Sequence, residues 1–343
     1  YFHSVFTIFN QKTVSLHKIC ILGNMTNKEL YREFCLHTSE LPIFMQDWWL
    51  DAVCAGKQWD VLLYMDEEGK IQAVLPYLLR QRAWMKYIIM PQQTQIGGIW
   101  IDDTVSNNEK KVAEISLDFA NQLNEMGLSY YYQHYPIGSP MVEHMRAMQF
   151  SITERATYRI EDLTDLDAVI NGFSKNKKRQ LQKALSLHVD YNMCVEDFYR
   201  FHVKCLQEKG KQITYTREFL LVLERKTARL QQSQIVSICN ADNEVLAAAF
   251  LVWDNHSMYY LIPCYLPSQK DSGASALLVL ESIKLARQKG VAFDFEGSMI
   301  QGIANHYKQF GSKRTIYYGV EKYYKWYFWF ANMYNRLRER KMR

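Results

Sequence analysis

Phe293-Asp294-Phe295-Glu296-Gly297-Ser298, followed by His306-Tyr307-Lys308-Gln309-Phe310-Gly311, is the stretch on which the fold turns. It reads as a strand, a short loop and a helix. Alternation along an extended chain puts Phe293 and Phe295 on one face and Asp294 and Glu296 on the other. Carboxylates two positions apart on a strand are separated by roughly 6.5–7 Å. A buried carboxylate here can take a proton from an attacking amine once desolvation raises its pKa. The pair can equally be structural, bonded to neighbouring backbone or basic groups.

Just upstream, Lys270-Asp271-Ser272-Gly273-Ala274-Ser275 precedes a helix from about Gly273 to Lys289 that stops at Gly290. Small residues at a helix N-terminus let backbone N–H groups face an anion, and the helix dipole adds to the attraction. A phosphate cradle is one reading. A plain helix start capped by Ser272 is the other.

Working outward, the order of elements occurs twice. Trp59 to Tyr64 and Ile71 to Leu79 read as strands joined by the Asp66–Gly69 turn. A helix follows from about Asn107 to Met126, with a strand from Leu128 to Tyr132. Gln234 to Cys239 and Glu244 to Trp253 repeat the hairpin, and His256 to Pro263, the 273–289 helix and Val291 to Phe295 continue it. The separation of about 160–175 residues points to a duplicated domain, not a short-repeat array. The boundaries read as 25–160 for the first copy and 161–320 for the second, with no flexible linker between them.

The chain of 343 residues is 48% hydrophobic and 22% charged, enough for two domains with their own cores. A net charge of +5 suits a phosphate-bearing partner but falls short of a dedicated DNA binder. The seven cysteines form no C-x-x-C pair and the histidines no H-E-x-x-H motif, so no metal is expected and the thiols read as reduced and mostly buried. No apolar run reaches the roughly 18–20 residues of a membrane helix, and a cytoplasmic protein is expected. Residues 1–24 lack Asp and Glu and read as a leader or a disordered, artefactual extension, with Met25 as the natural start. Residues 321–343 read as an amphipathic basic helix that packs on the second domain or lies on the inner face of an anionic membrane. Ser174 caps a basic run in which Lys178 and Arg179 can grip phosphates or face solvent.

The order Phe-Asp-Phe-Glu-Gly-Ser, then Tyr-Lys-x-Phe-Gly, resembles the C-terminal domain of FemABX-type peptidoglycan aminoacyltransferases. It is more similar still to the acetyltransferase-6 branch of the GNAT superfamily. Ser174 to Lys183 looks like the start of that domain. Trp48-Trp49, Ile71 to Leu79 and Pro91 to Gly98 look like a degenerate N-terminal copy, in which Gln133-His134-Tyr135-Pro136 stands where the second copy has Glu-Gly-Ser.

The resemblance implies an α/β fold of tandem GNAT-like domains, with twin mixed sheets and a cleft where two parallel strands splay apart. It implies an acyltransferase that takes acyl-CoA or aminoacyl-tRNA as donor and an amine as acceptor, such as an amino sugar or a cell-envelope precursor. The GNAT pyrophosphate loop has the form Q/R-x-x-G-x-G/A. Gly273 keeps that pattern, while Lys270 and Ser275 depart from it, so both donors stay open. By the same resemblance Lys308 lies near donor or acceptor phosphates and Ser298 joins the binding site. Asp294 or Glu296 would accept the amine proton, and Tyr265 or Tyr307 would protonate the leaving group. Two other possibilities remain: a tRNA-dependent peptidoglycan ligase, and a ligand-binding module that has lost activity.

Overall fold

The computed structural model describes residues 25–54, 59–297 and 299–329. The expectations for residues 1–24, for Ser298 and for most of 321–343 lie outside the described residues.

The first copy opens with helices α1 (Asn27–His37) and α2 (Asp47–Cys54). Thr26 and Glu29 cap α1 reciprocally, each side chain taking a backbone N–H of the other. Strands β1 (Trp59–Met65), β2 (Ile71–Arg82), β3 (Met85–Ile89) and β4 (Trp100–Ile101) follow, then α3 (Asp103–Ser106) and α4 (Glu109–Glu125). Strand β5 (Tyr130–Tyr135), α5 (Met141–Ala147) and β6 (Ser151–Ile160) complete it. The second copy begins with α6 (Leu166–Asn171), α7 (Lys175–Lys183), β7 (His188–Asp190), α8 (Val195–Glu208) and α9 (Arg217–Arg229). It then repeats the plan: β8 (Ser233–Cys239), β9 (Val245–Trp253), β10 (Ser257–Tyr265), α10 (Ala274–Lys289), β11 (Ala292–Asp294), α11 (Gln301–Lys308) and β12 (Lys313–Tyr323). The duplication read from the sequence is real: a parallel pair bridged by a helix occurs in each copy, β3 with β5 and β10 with β11.

The resemblance implied twin sheets, but the two merge into one. Its strand order is β1-β2-β3-β5-β12-β6-β11-β10-β9-β8-β7, with β4 added beside β2. The fusion comes from an exchange. β6, the last strand of the first copy, pairs with β11 of the second from Phe293–Ile160 onward. β12, the last strand of the second copy, pairs with β5 of the first, from Tyr318–Tyr135 to Tyr323–Tyr130. The exchanged strands also pair with each other along nine register positions, Lys313–Arg159 to Glu321–Ser151.

Facing residues in register share a side of the sheet. On one side, α4 and α5 cover the first copy through Phe119, Leu123, Met141 and Met145. Helix α10 covers the second through Leu278, Val279 and Ile283, with Tyr307 of α11 beside it. On the other side a single core unites Trp59, Val61 and Val74 with Ile235, Phe250 and Tyr259, and adds Trp49 of α2, Phe198 of α8 and Leu220 of α9. Strands far apart in sheet order therefore share one core, so the sheet curls around these helices. The central strands β5, β12, β6 and β11 turn a polar strip toward that same concave side: His134, Tyr317, Arg155, Thr157, Arg159 and Asp294. Burial of this strip at the seam between the copies is what makes a site possible.

Candidate active site

β11 ends at Asp294, earlier than the strand read to Phe295. The two phenylalanines keep the expected side: Phe293 and Phe295 are buried with rings 4.9 Å apart. The carboxylates do not behave as strand neighbours. Glu296 adopts φ +60° and Gly297 φ +67°, so the chain turns over β6. A Cβ on Gly297 would sit 2.1 Å from the carbonyl oxygen of Ala156, so only glycine fits this crossing. The Glu296 N–H donates to Asp294 Oδ1 at 2.7 Å, which holds the left-handed turn.

This turn separates the two carboxylates chemically. Asp294 is fully buried and fully engaged. Its Oδ1 also accepts from Thr157 Oγ1, and its Oδ2 accepts from Arg159 Nη1 at 3.1 Å. Burial raises its pKa, while Arg159, Thr157 and the Glu296 amide oppose the rise. Arg159 is shared with Glu161 at 2.6 Å. Glu296, by contrast, has a buried Oε1 with no hydrogen-bond partner. Burial, and then the charge of Asp294, push its pKa well above the carboxylate range. A carboxyl with unused bonding capacity and a raised pKa is suited to proton transfer.

Glu296 opens onto a cleft of about 440 Å3 between the copies. The loop 91–95, Arg155 of β6, His134 of β5 and Tyr317 of β12 form its walls, with Met299 and Ile300 at the second-copy rim. Nδ1 of His134 lies 2.9 Å from the Gln95 carbonyl, and its Nε2 lies 2.9 Å from Tyr132 Oη and 3.3 Å from Arg155 Nη2. The guanidinium can only donate, and the carbonyl can only accept. Hence Nδ1 carries the proton, and His134 is a neutral imidazole. Burial agrees, drawing its pKa down to about 4.

Tyr307 is buried against Phe295, ring centroids 4.5 Å apart. Burial, then the charges of Glu296 and Asp294, raise its pKa, so its hydroxyl keeps its proton, and the ring packs on the α10 side of the sheet. Lys308 is exposed on α11, with Nζ 5.9 Å from the Tyr158 ring centre. Tyr265 is held apart from this group. It ends β10, and Lys209 Nζ lies 3.9 Å from its ring centre.

The α10 N-terminus is less open than a bare cradle. Gly273 is the N-cap, and a Cβ on it would lie 2.2 Å from the carbonyl oxygen of Gln180 in α7. Ser272 Oγ accepts from the Ala274 N–H at 3.2 Å, but it stands one residue before the N-cap, and Gly273 has no side chain with which to cap the helix. Lys270 and Ser275 flank this packed start. Ser174 caps α7 as expected. Lys178 Nζ donates to the Asn171 carbonyl at the end of α6 at 2.9 Å, and Arg179 donates to Asn176 Oδ1 within α7 at 3.3 Å.

Several members of this neighbourhood carry no local motif. Gln95, Arg155 and Tyr317 lie in a loop and two exchanged strands, and only the sheet brings them together. Lys177 is a second case. It is 2% exposed, donates to Gln180 Oε1 at 3.0 Å and sits 3.2 Å from His306 Nδ1. Burial lowers its pKa to about 8 and that of His306 to about 4. Its place in a polar Lys-Lys-Arg run hid the burial.

Among the described residues no helix is long and apolar enough to cross a membrane. Nor do they hold a His, Cys, Asp and Glu group arranged for a metal. Cys35, Cys205, Cys239 and Cys264 are buried free thiols, and Cys194 is an exposed one.

Residues 171–309 match the model of the acetyltransferase (GNAT) domain family. The second copy therefore carries a GNAT domain, a transferase fold that generally takes an acyl-CoA-type substrate. Among solved structures, FemX is 12% identical with a TM-score of 0.66, covering 86% of this chain and 96% of FemX. A conserved protein of unknown function from Bacteroides thetaiotaomicron is 10% identical with a TM-score of 0.57, covering 87% of this chain and 97% of that one. A tandem GNAT protein from the clavulanic acid biosynthesis pathway gives a TM-score of 0.49 at 10% identity, covering 77% and 82%. No curated protein matches significantly. The fold is thus a duplicated GNAT fold of the FemX-like type.

Proposed function

We propose that this chain, a tandem GNAT-fold protein with its GNAT domain in the second copy, is an N-acyltransferase with Glu296 as its general base. The observation that carries this is the buried, unpaired Oε1 of Glu296 at the edge of the inter-copy cleft. Asp294 is a positioning residue: it fixes the turn and raises the pKa of Glu296. The donor is an acyl-CoA, with aminoacyl-tRNA as the alternative, and the acceptor is an amine such as an amino sugar or an envelope precursor.

β10 and β11 pair only over Ser257–Tyr259 and Ala292–Asp294. Beyond Tyr259, backbone N–H groups of β10 can polarise a donor carbonyl lying between the strands. The neutral amine attacks that carbonyl, an N–C bond forms, and Glu296 takes the proton the nitrogen sheds. The C–S bond of the thioester then breaks, and the departing thiolate takes the proton that Glu296 has just gained, which returns the base to its carboxylate form. No covalent enzyme intermediate is needed, and positioning supplies much of the acceleration. Lys308 supports the donor phosphates from the exposed face of α11.

Thermal shift with acetyl-CoA, longer acyl-CoAs and charged tRNA tests the donor, and single-turnover acyl transfer to a panel of primary amines tests the reaction. Stabilisation by an acyl-CoA, together with transfer that Glu296→Gln abolishes, is the expected result. Stabilisation by charged tRNA alone moves the assignment to aminoacyl transfer. If no donor shifts the melting temperature and no amine is acylated, the enzyme reading fails.

A further inference from the structure

Three arginines lie along the seam between the copies, and two of them are neutralised. Arg159 pairs with Asp294 and Glu161, and Arg314 pairs with Glu154. Arg155, one pleat from Thr157 on β6, pairs with no carboxylate among the described residues. Its guanidinium instead meets Nε2 of His134, which is neutral. Arg155 thus brings an unbalanced positive charge to the cleft wall.

Beside it is Gln95. The residue is 7% exposed, it lines the same cleft, and neither its Oε1 nor its Nε2 has a hydrogen-bond partner. A buried amide left without partners costs roughly 1–3 kcal/mol, so natural proteins rarely keep one without a use. Its backbone carbonyl is pinned by His134 Nδ1–H, which ties the loop 91–95 to the strand that bears the histidine. A donor cation and a free amide therefore share one cleft wall, with Glu296 on the same cleft.

We infer that Arg155 and Gln95 form an acceptor subsite that selects amines carrying an anionic group, carboxylate or phosphate. Resting on the acyl-transfer reading above, this assigns the acceptor class: the amine faces Glu296, the anion pairs with Arg155, and Gln95 bonds a polar group between them. Met299 and Ile300 give the same substrate an apolar contact at the rim.

The test compares matched acceptors that differ in one charge: glucosamine 6-phosphate against glucosamine, and lysine against lysinamide. For the wild-type protein the anionic member of at least one pair is the better acceptor, and which pair responds separates phosphate from carboxylate. Arg155→Gln collapses the anionic-to-neutral ratio of kcat/KM by about 10- to 100-fold, and Arg155→Lys restores part of it. Gln95→Leu raises the acceptor KM and, by removing an unpaired buried amide, raises the melting temperature. A residue serving only the fold would lower it. In parallel, inorganic phosphate and acetate are titrated by NMR into both proteins without any donor. Equal charge ratios in wild type and Arg155→Gln overturn the subsite, even with acyl transfer intact. Arg155-dependent anion binding in a protein that acylates no amine keeps the anion site and instead sinks the transferase reading.

Discussion

The two splayed strand pairs of this molecule began alike and ended differently. In the first copy, β3 and β5 pair at Tyr87–Tyr130 and Ile88–Tyr131, and the loop after β3 fills the gap that follows. Gly97 N–H donates to the His134 carbonyl at 2.8 Å, and Gly98 N–H donates to Gln133 Oε1 at 2.5 Å. The Gln133 amide reaches the Pro76 carbonyl at 3.0 Å, and the residue is 1% exposed. In the second copy, β10 and β11 part after Tyr259–Asp294. The position after that parting ends in Glu296, whose Oε1 meets nothing. An amide that satisfies both its donor and its acceptor closes the first gap. A carboxyl with a vacant lone pair leaves the second available for chemistry. Degeneracy in the first copy is therefore a gain of hydrogen bonds, not merely a loss of motif.

The sharpest way to break this contrast is Glu296→Gln. Turnover is expected to fall by about 10²- to 10⁴-fold, the usual worth of a general base. Stability moves the other way. Because the folded pKa of Glu296 lies above its ordinary value, the native state binds its proton more tightly, and stability is lost as pH rises through the folded pKa. Removing the carboxyl removes that loss, so at neutral pH the variant melts at or above the wild-type temperature. A lowered melting temperature with full activity would make Glu296 a structural residue. The same pKa sets the rate profile: kcat/KM rises with pH through an apparent pKa well above 4.5 and is flat there in an active revertant lacking the carboxyl.

A second comparison uses one glycine from each gap. Gly98 has φ +71°, and a Cβ on it would lie 2.3 Å from the Tyr135 ring, while Gly297 faces the Ala156 carbonyl at 2.1 Å. Alanine at either site costs about 2–4 kcal/mol from strain and overlap together. Denaturant unfolding of both variants should show similar losses. Below the melting range, activity survives in Gly98→Ala and not in Gly297→Ala. Equal activity would mean that the second gap tolerates displacement of Glu296.

Smaller effects refine the picture. Gln133→Leu leaves the Pro76 carbonyl and the Gly98 amide unpaired, at a cost of about 1–3 kcal/mol in chemical denaturation with turnover retained. Acid should be felt through the neutral histidines. His134, His202 and His306 are each drawn by burial to about 4, below the ordinary 6.5. The unfolded chain takes up those protons first, so stability falls as pH drops from about 6.5 toward 4, and a melting-temperature series across that window checks it. Smallest of all, Lys308→Ala should raise the donor KM by about three- to tenfold and spare kcat, as expected of an exposed cation. An unchanged donor KM removes Lys308 from the site.

What could be seen in the sequence follows from how local each feature is. The Ser174 cap and the two hairpins are set by neighbouring residues, and they stand where the pattern put them, whereas the 293–311 stretch keeps its strand and helix but not the strand position expected of Glu296. β3 was missed because its pairing partner, β2, ends only three residues earlier in one long hairpin. The exchange of β6 and β12 depends on pairing across some 160 residues, which no local periodicity reports. The choice between Asp294 and Glu296 required the left-handed turn, since alternation alone makes the two equivalent. Arg155, His134 and Gln95 come from two strands and a loop, and each looks ordinary in its own segment.

The exchanged strands also dictate a timetable for synthesis. β5 emerges from the ribosome long before Lys313–Tyr323, yet that late segment is the neighbour it must hydrogen-bond. β6 likewise waits for β11 and for β12. The nascent first copy thus carries open sheet edges until nearly the whole chain has been made, and the last strand must then wedge into the middle of the sheet. Folding is slow under such long-range closure, and exposed edges invite mispairing. A translation stall or a truncation just before residue 313 strands both halves at once, so the cell receives either the entire catalytic unit or aggregation-prone fragments.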